Sequence, residues 1–114
     1  MFILSHLYEI QHYFSSYISH LVFLQYSGMM IPIPQYPIYS ATCDLFGIQQ
    51  VGYYLDESKG WDSTVEELER SLKEAKVQGI NVNSLVLINP GNPTGEVLSK
   101  ESVKVSYNGT FLDF

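Results

Sequence analysis

The middle of the chain carries three apolar runs of strand length. MMIPIP, residues 29–34, is a short run that ends in prolines, and IQQVGYYL, residues 48–55, is a second one. The third run, SLVLI at residues 84–88, is continuously apolar rather than alternating, which is typical of a parallel strand buried on both faces. The pattern therefore predicts three strands, of which the last is fully buried.

Two helices are predicted between these strands. The first opens at Pro37, which suits a first helical position, and runs through Phe46 to a closing Gly47. The second runs from about Ser63 to Gln78, because its apolar side chains recur at steps of three and four and so share one face. Those side chains are Val65, Leu68, Leu72 and Ala75.

The second helix has its own start signal and a charged face. Ser63 stands three residues before Glu66, the spacing of a capping box. Glu66 with Arg70, and Glu69 with Lys73, are correctly oriented pairs four residues apart. We interpret this charge run as a solvated helix face rather than a binding surface.

The order of strands and helices indicates the fold class. Strands that alternate with helices predict an α/β fold, here part of a doubly wound parallel sheet with right-handed crossovers. Ligands in such folds bind outside the carboxyl ends of the strands. Two loops lie at such ends: PQYP, residues 34–37, and NPGNPTG, residues 89–95. Their prolines and glycines favour one fixed loop shape over a flexible linker.

Composition limits the possible partners. The chain has 114 residues, enough for one modest domain, with a net charge of -6 and only six lysines and arginines. No basic stripe is available to neutralise phosphates, so nucleic-acid binding is not predicted. The single cysteine, Cys43, cannot form an internal disulfide, which favours a reducing compartment.

Residues 1–28 form an apolar head in which Glu9 is the only acidic or basic side chain. The head has histidines where a signal peptide would carry lysine or arginine, and it lacks the ~18 continuous apolar residues of a membrane span. The spacing of His6, His12 and His20 does not place them on one helical turn, so no metal site is predicted. We expect a helical or disordered head, with a membrane anchor as the alternative.

Several blocks between Met30 and Glu101 resemble one protein family. IPIPQYPIYSA, YYLDE, VEELERSL and INPGNPTG resemble the class I, fold-type I pyridoxal-phosphate aminotransferases, and alanine aminotransferases most of all. The resemblance implies a homodimeric enzyme, cytoplasmic or mitochondrial, that uses pyridoxal 5′-phosphate and acts on amino acids and 2-oxo acids. It implies that Asn92 donates its side-chain amide to the phenolic oxygen of the cofactor and that Tyr36 stacks on the pyridine ring. Two alternatives remain: Asn92 caps its own loop, or Tyr36 is a core tyrosine.

The resemblance also implies groups that the chain lacks. The family needs a lysine for a Schiff base, an aspartate at the pyridine nitrogen, a phosphate-binding loop and an arginine for the substrate carboxylate. None of the five lysines lies in a matching motif, and the only arginine, Arg70, belongs to the helix face. We therefore expect residues 29–101 to be part of an aminotransferase large domain, flanked by non-family residues 1–28 and 102–114, without a catalytic residue and inactive alone. The alternatives are a non-catalytic protein that pairs with a full-length subunit, and a small membrane-associated protein.

Overall fold

Four strands and two helices make up most of the residues that the computed structural model describes, which are 2–5, 27–100 and 103–104. In chain order the elements are β1 (Phe2–Ser5), β2 (Ser27–Ile33), α1 (Ile38–Phe46), β3 (Gln49–Tyr54), a 3-10 turn (Glu57–Lys59), α2 (Val65–Val77) and β4 (Asn81–Leu87). The three predicted strands and both predicted helices are therefore present.

The strands form one sheet in the order β1-β4-β2-β3, and every neighbouring pair is parallel. This confirms the predicted α/β fold with a parallel sheet. Because β4 lies directly beside β2, the loops that follow these two strands leave the same edge of the sheet.

The core lies on both faces of the sheet. Successive side chains of a strand point to opposite faces, so Met29 of β2 packs with Cys43 of α1 while Met30 packs with Leu68 of α2. The same alternation in β4 sends Val86 to one cluster and Leu85 to the other. This two-sided burial is the reason why the last strand is continuously apolar.

The first helix ends as predicted but begins one residue later. Pro37 is the residue that precedes α1 rather than its first helical residue. Gly47 closes the helix with a φ of 69°, the left-handed region, and its N–H donates to the carbonyl of Cys43.

The predicted capping box of the second helix is wrong by one residue. Thr64, not Ser63, is the N-cap, and its hydroxyl accepts a hydrogen bond from the N–H of Glu67 at 3.3 Å. Ser63 is held in the preceding turn, where its N–H donates to the carboxylate of Asp62 at 2.9 Å. The carboxylate of Glu67 does not return to the cap, since it accepts from the N–H of Tyr54.

One of the two predicted ion pairs on α2 is also wrong. Arg70 binds Glu67 and Glu74, at 2.7 and 2.6 Å, rather than Glu66. Glu67 is already held against the sheet, so it presents both carboxylate oxygens to the guanidinium in a bidentate pair. The predicted pair of Lys73 with Glu69 is present at 3.9 Å.

The head differs from expectation where the structure describes it. Phe2–Ser5 is a strand that pairs with β4, not a helix or a disordered segment, because it meets an unpaired strand edge there. Ser27–Ile33 starts before the predicted strand and takes in the last residues of the head. The three histidines lie outside the described residues. Within the described ranges, none of the helices is long and apolar enough to cross a bilayer.

Candidate cofactor site

The two residues that the resemblance singled out meet at the carboxyl edge of the sheet. The backbone N–H of Tyr36, in the loop after β2, donates to the carbonyl of Asn92, in the loop after β4, at 2.9 Å. The prediction that both loops lie on one rim is therefore confirmed. The Asn92–Pro93 peptide bond is cis, as predicted.

The loop at residues 89–95 is held by its own polar groups. The side-chain oxygen of Asn89 accepts from the N–H of Leu98 at 3.0 Å, and the N–H of Gly91 donates to the carbonyl of Glu96 at 2.7 Å. A Cβ at Gly91 would collide with the hydroxyl oxygen of Thr94 as that side chain now lies. Two hydrogen bonds thus tie the loop to the residues that follow it.

The capping role that sequence reasoning left open for Asn92 belongs to Asn89. The Asn92 side-chain amide has no hydrogen-bond partner among the described residues and lies exposed on the rim. Tyr36 is 56% exposed, which argues against a core tyrosine. An unpaired amide donor and an open aromatic face thus lie on two loops that a main-chain hydrogen bond ties together.

A cavity of about 20 Å³ lies beneath the loop, room for about one water molecule. Its lining includes Asn92, Thr94, Tyr53 and Trp61. On the neighbouring loop, the side-chain oxygen of Gln35 is buried and accepts no hydrogen bond from the described residues. Sequence reasoning missed Gln35 and Tyr53, because neither belongs to a motif that predicts a buried polar atom.

Neither Cys43 nor Tyr53 offers acid, base or nucleophilic chemistry near neutral pH. Burial, with a further effect of Asp44, raises the pKa of the Cys43 thiol to about 11. Burial also raises the pKa of Tyr53 above its usual range. Both groups stay protonated and neutral near neutral pH.

The Asn92 amide and the Tyr36 ring suit part of a flat ring that carries a negatively charged oxygen. The amide of Asn92 suits a phenolate oxygen, and the exposed face of Tyr36 suits offset stacking on an aromatic ring. No lysine or arginine is among the described residues that line the cavity. The described residues therefore fit one edge and one face of a pyridoxal ring, and not its phosphate or its aldehyde.

Comparison with known proteins identifies the family of the chain. A model of the family described as aminotransferase class I and II matches residues 14–105. The chain belongs to this family, and it corresponds to part of the large domain.

Two curated relatives show the likeness in sequence. The chain is 51% identical over 85 residues to glutamate–glyoxylate aminotransferase 1 of Arabidopsis thaliana. This match covers 71% of this chain and 18% of that protein. The chain is 54% identical over 77 residues to the mitochondrial alanine aminotransferase of Saccharomyces cerevisiae. This match covers 68% of this chain and 13% of that protein. The chain thus spans less than a fifth of the length of either relative.

The fold likewise matches a solved aminotransferase. The alanine aminotransferase from Pyrococcus furiosus superposes with a TM-score of 0.62 at 22% identity, over 81% of this chain and 22% of that one. At this level of identity the match concerns the fold.

Proposed function

We propose that this chain carries the ring-holding part of the cofactor site of an alanine aminotransferase, and that it does not turn over substrate by itself. The observation that carries the proposal is the hydrogen bond between Tyr36 and Asn92, since it joins an aromatic face to a free amide donor at the rim. The substrates in this reading are alanine and 2-oxoglutarate, and the compartment is mitochondrial or cytoplasmic.

Asn92 would set the electronic state of the ring. Its amide N–H groups donate to the phenolic oxygen and stabilise negative charge there. Tyr36 would fix the plane of the ring by offset stacking, worth ~0.5 to 1.5 kcal/mol beyond burial. When bound, the cofactor supplies the electron sink for amino-group transfer.

The stiffness of the loop serves the same purpose. The bonds of Asn89 and Gly91 hold the loop shape before any ligand arrives, so little ordering is needed on binding. Within the part of the chain that the structure describes, no lysine lines the rim cavity to bond the cofactor covalently. Weak ring binding without turnover is the result that this arrangement supports.

Ring binding can be tested with pyridoxine 5′-phosphate, which lacks the aldehyde and so cannot react with surface lysines. Titration followed by NMR should shift the Asn92 side-chain amide and the Tyr36 ring, with a Kd of about 1 mM. Asn92→Ala should abolish the Tyr36 shifts, whereas Asn81→Ala, at the other end of β4, should leave them unchanged. Shifts that survive Asn92→Ala would refute the assignment.

Turnover is tested separately. The purified chain should release no pyruvate from alanine and 2-oxoglutarate in the presence of pyridoxal 5′-phosphate. Asn92→Ala, purified in the same way, reports host contamination, because a contaminant is equally present in both preparations. Turnover in the unsubstituted chain alone would contradict the proposed inactivity.

A further inference from the structure

A proline lies where the sheet needs a hydrogen-bond donor. β2 is an interior strand, with β4 on one side and β3 on the other, and Pro32 lies within it. Proline has no N–H, so in sheets it is confined mainly to edge strands and bulges. Pro32 therefore cannot donate a backbone hydrogen bond to either neighbouring strand.

The register identifies the carbonyl that loses its donor. The carbonyl of Ile33 accepts from the residue that follows β3, at 3.0 Å, so the backbone of Ile33 faces β3. Backbone groups of successive residues face opposite neighbours, so Pro32 faces β4. The pairing of β2 with β4 extends to Met30 and Leu85. The same register continued by two residues places the nitrogen of Pro32 opposite the carbonyl of Val86.

A side chain from the third strand supplies that bond. Tyr53 of β3 pairs with Pro32 in register, so both side chains lie on one face of the sheet. The hydroxyl of Tyr53, in a side chain that is 1% exposed, donates to the carbonyl of Val86 at 2.7 Å. We propose that Tyr53 is a positioning residue, whose hydroxyl replaces the N–H that Pro32 lacks and so fixes the end of β4 from which the Asn92 loop starts.

The position of this bond links it to the rim. Val86 is three residues before Asn89, whose side chain accepts the hydrogen bond from Leu98 that holds the loop. Tyr53 also lines the cavity beneath Asn92. Without the hydroxyl, a buried carbonyl would lack its side-chain donor at the base of the loop, and we expect the loop to shift in response. The role of Tyr53 depends on the proposed function in one respect only, namely that the Asn92 loop holds a cofactor ring.

A double-mutant cycle tests the exchange of donors. Tyr53→Phe should speed hydrogen exchange of the Tyr36 amide, which is bound to Asn92, at least tenfold more than exchange of the Ile48 amide, which closes α1. A purely global loss of stability would speed both amides together. Pro32→Ala restores a backbone N–H. In that background, Tyr53→Phe should change the ratio of the Tyr36 exchange rate to the Ile48 exchange rate by less than twofold.

A neighbouring tyrosine provides the control. Tyr54→Phe removes an exposed hydroxyl and should leave the Tyr36 amide unchanged. An equal effect of Tyr53→Phe in both backgrounds would overturn the proposal, because the hydroxyl would then not stand in for the missing N–H.

The unsubstituted chain gives a second measurement if Tyr53→Phe does not fold. The Tyr53 hydroxyl proton should give a slowly exchanging NMR signal, and Pro32→Ala should speed its exchange by offering Val86 a second donor. An unprotected hydroxyl proton would count against the proposal. No cofactor is added in either test, so a failure here leaves ring binding by Asn92 unaffected, and the reverse also holds.

Discussion

The carboxylate of Glu67 on α2 accepts a hydrogen bond from the backbone N–H of Tyr54 on β3, at 2.8 Å. One turn further along the helix, the hydroxyl of Ser71 donates to the carbonyl of Gly52 at 2.9 Å. Both backbone groups face away from β2, on the free side of the outermost strand. The helix thus satisfies polar groups on an edge that would otherwise be open to another strand, which makes β3 a poor surface for the alternative of pairing with a full-length subunit.

We expect Glu67→Ala to lower the free energy of unfolding by about 2 kcal/mol, since it removes hydrogen bonds to a charged group and leaves a strand N–H unpaired. The side chain of Glu67 is 18% exposed, so water replaces it poorly. Glu69→Ala is the matched control: Glu69 is 51% exposed and its pair with Lys73 is long, so the loss should stay within about 0.5 kcal/mol. Urea unfolding followed by circular dichroism measures both, and equal losses would contradict the edge role.

The contribution of Glu67 should depend on pH in a defined direction. The hydrogen bonds from Arg70, and further the one from the N–H of Tyr54, hold the pKa of Glu67 below its usual range in the folded chain. A depressed folded pKa adds stability above the unfolded value of about 4.3, and this stability is lost as the pH falls through the folded pKa. The difference in unfolding free energy between the unsubstituted chain and Glu67→Ala should therefore be constant from about pH 5 to 7 and shrink toward about pH 3. If this difference in unfolding free energy grew as the pH fell, the pKa of Glu67 would be raised and not lowered in the folded chain, which would contradict the prediction.

Thr64→Ala should cost about 1 kcal/mol of stability, because the Thr64 hydroxyl accepts from a helix N–H that has no other intrahelical partner. Ser63→Ala tests the cap that the sequence predicted, and should change stability by less than about 0.5 kcal/mol. Thermal unfolding of the two variants separates the possibilities. A larger loss of stability for Ser63→Ala than for Thr64→Ala would instead support the capping box predicted from Ser63 and Glu66.

Regular patterns made the fold predictable. The continuous run at residues 84–88 and the three-four periodicity of α2 gave the strand type and the buried helix face, because both follow from burial alone. The cap and the partner of Arg70 were misjudged by one residue, since Glu67 has a sheet contact that sequence spacing cannot reveal. The strand at residues 2–5 was missed for a similar reason: it depends on an unpaired edge of β4 that lies far away in sequence.

The candidate site was predictable only in part. Motif resemblance pointed to Asn92 and Tyr36, and parallel topology predicted that their loops share a rim. The roles of Asn89 and Tyr53 were not predictable, because one depends on the path of the loop and the other on which carbonyl faces a proline.

The shape of the Asn92 loop can be tested at Gly91. Gly91→Ala places a Cβ against the hydroxyl oxygen of Thr94, and the backbone φ of Gly91 is not in the left-handed region, so the contact is the source of any strain. Either the Thr94 side chain or the loop must shift. We expect the loop to move, so the Tyr36 amide, which binds the carbonyl of Asn92, should lose protection against hydrogen exchange. Removing the hydroxyl with Thr94→Ala should restore this protection in the Gly91→Ala background. Gly95→Ala is the contrast, because its strain comes from a φ of 76° with no atom within 4 Å of the added Cβ, and Thr94→Ala should not relieve it. Failure of Thr94→Ala to rescue Gly91→Ala would mean that the backbone path of the loop is not set by this contact.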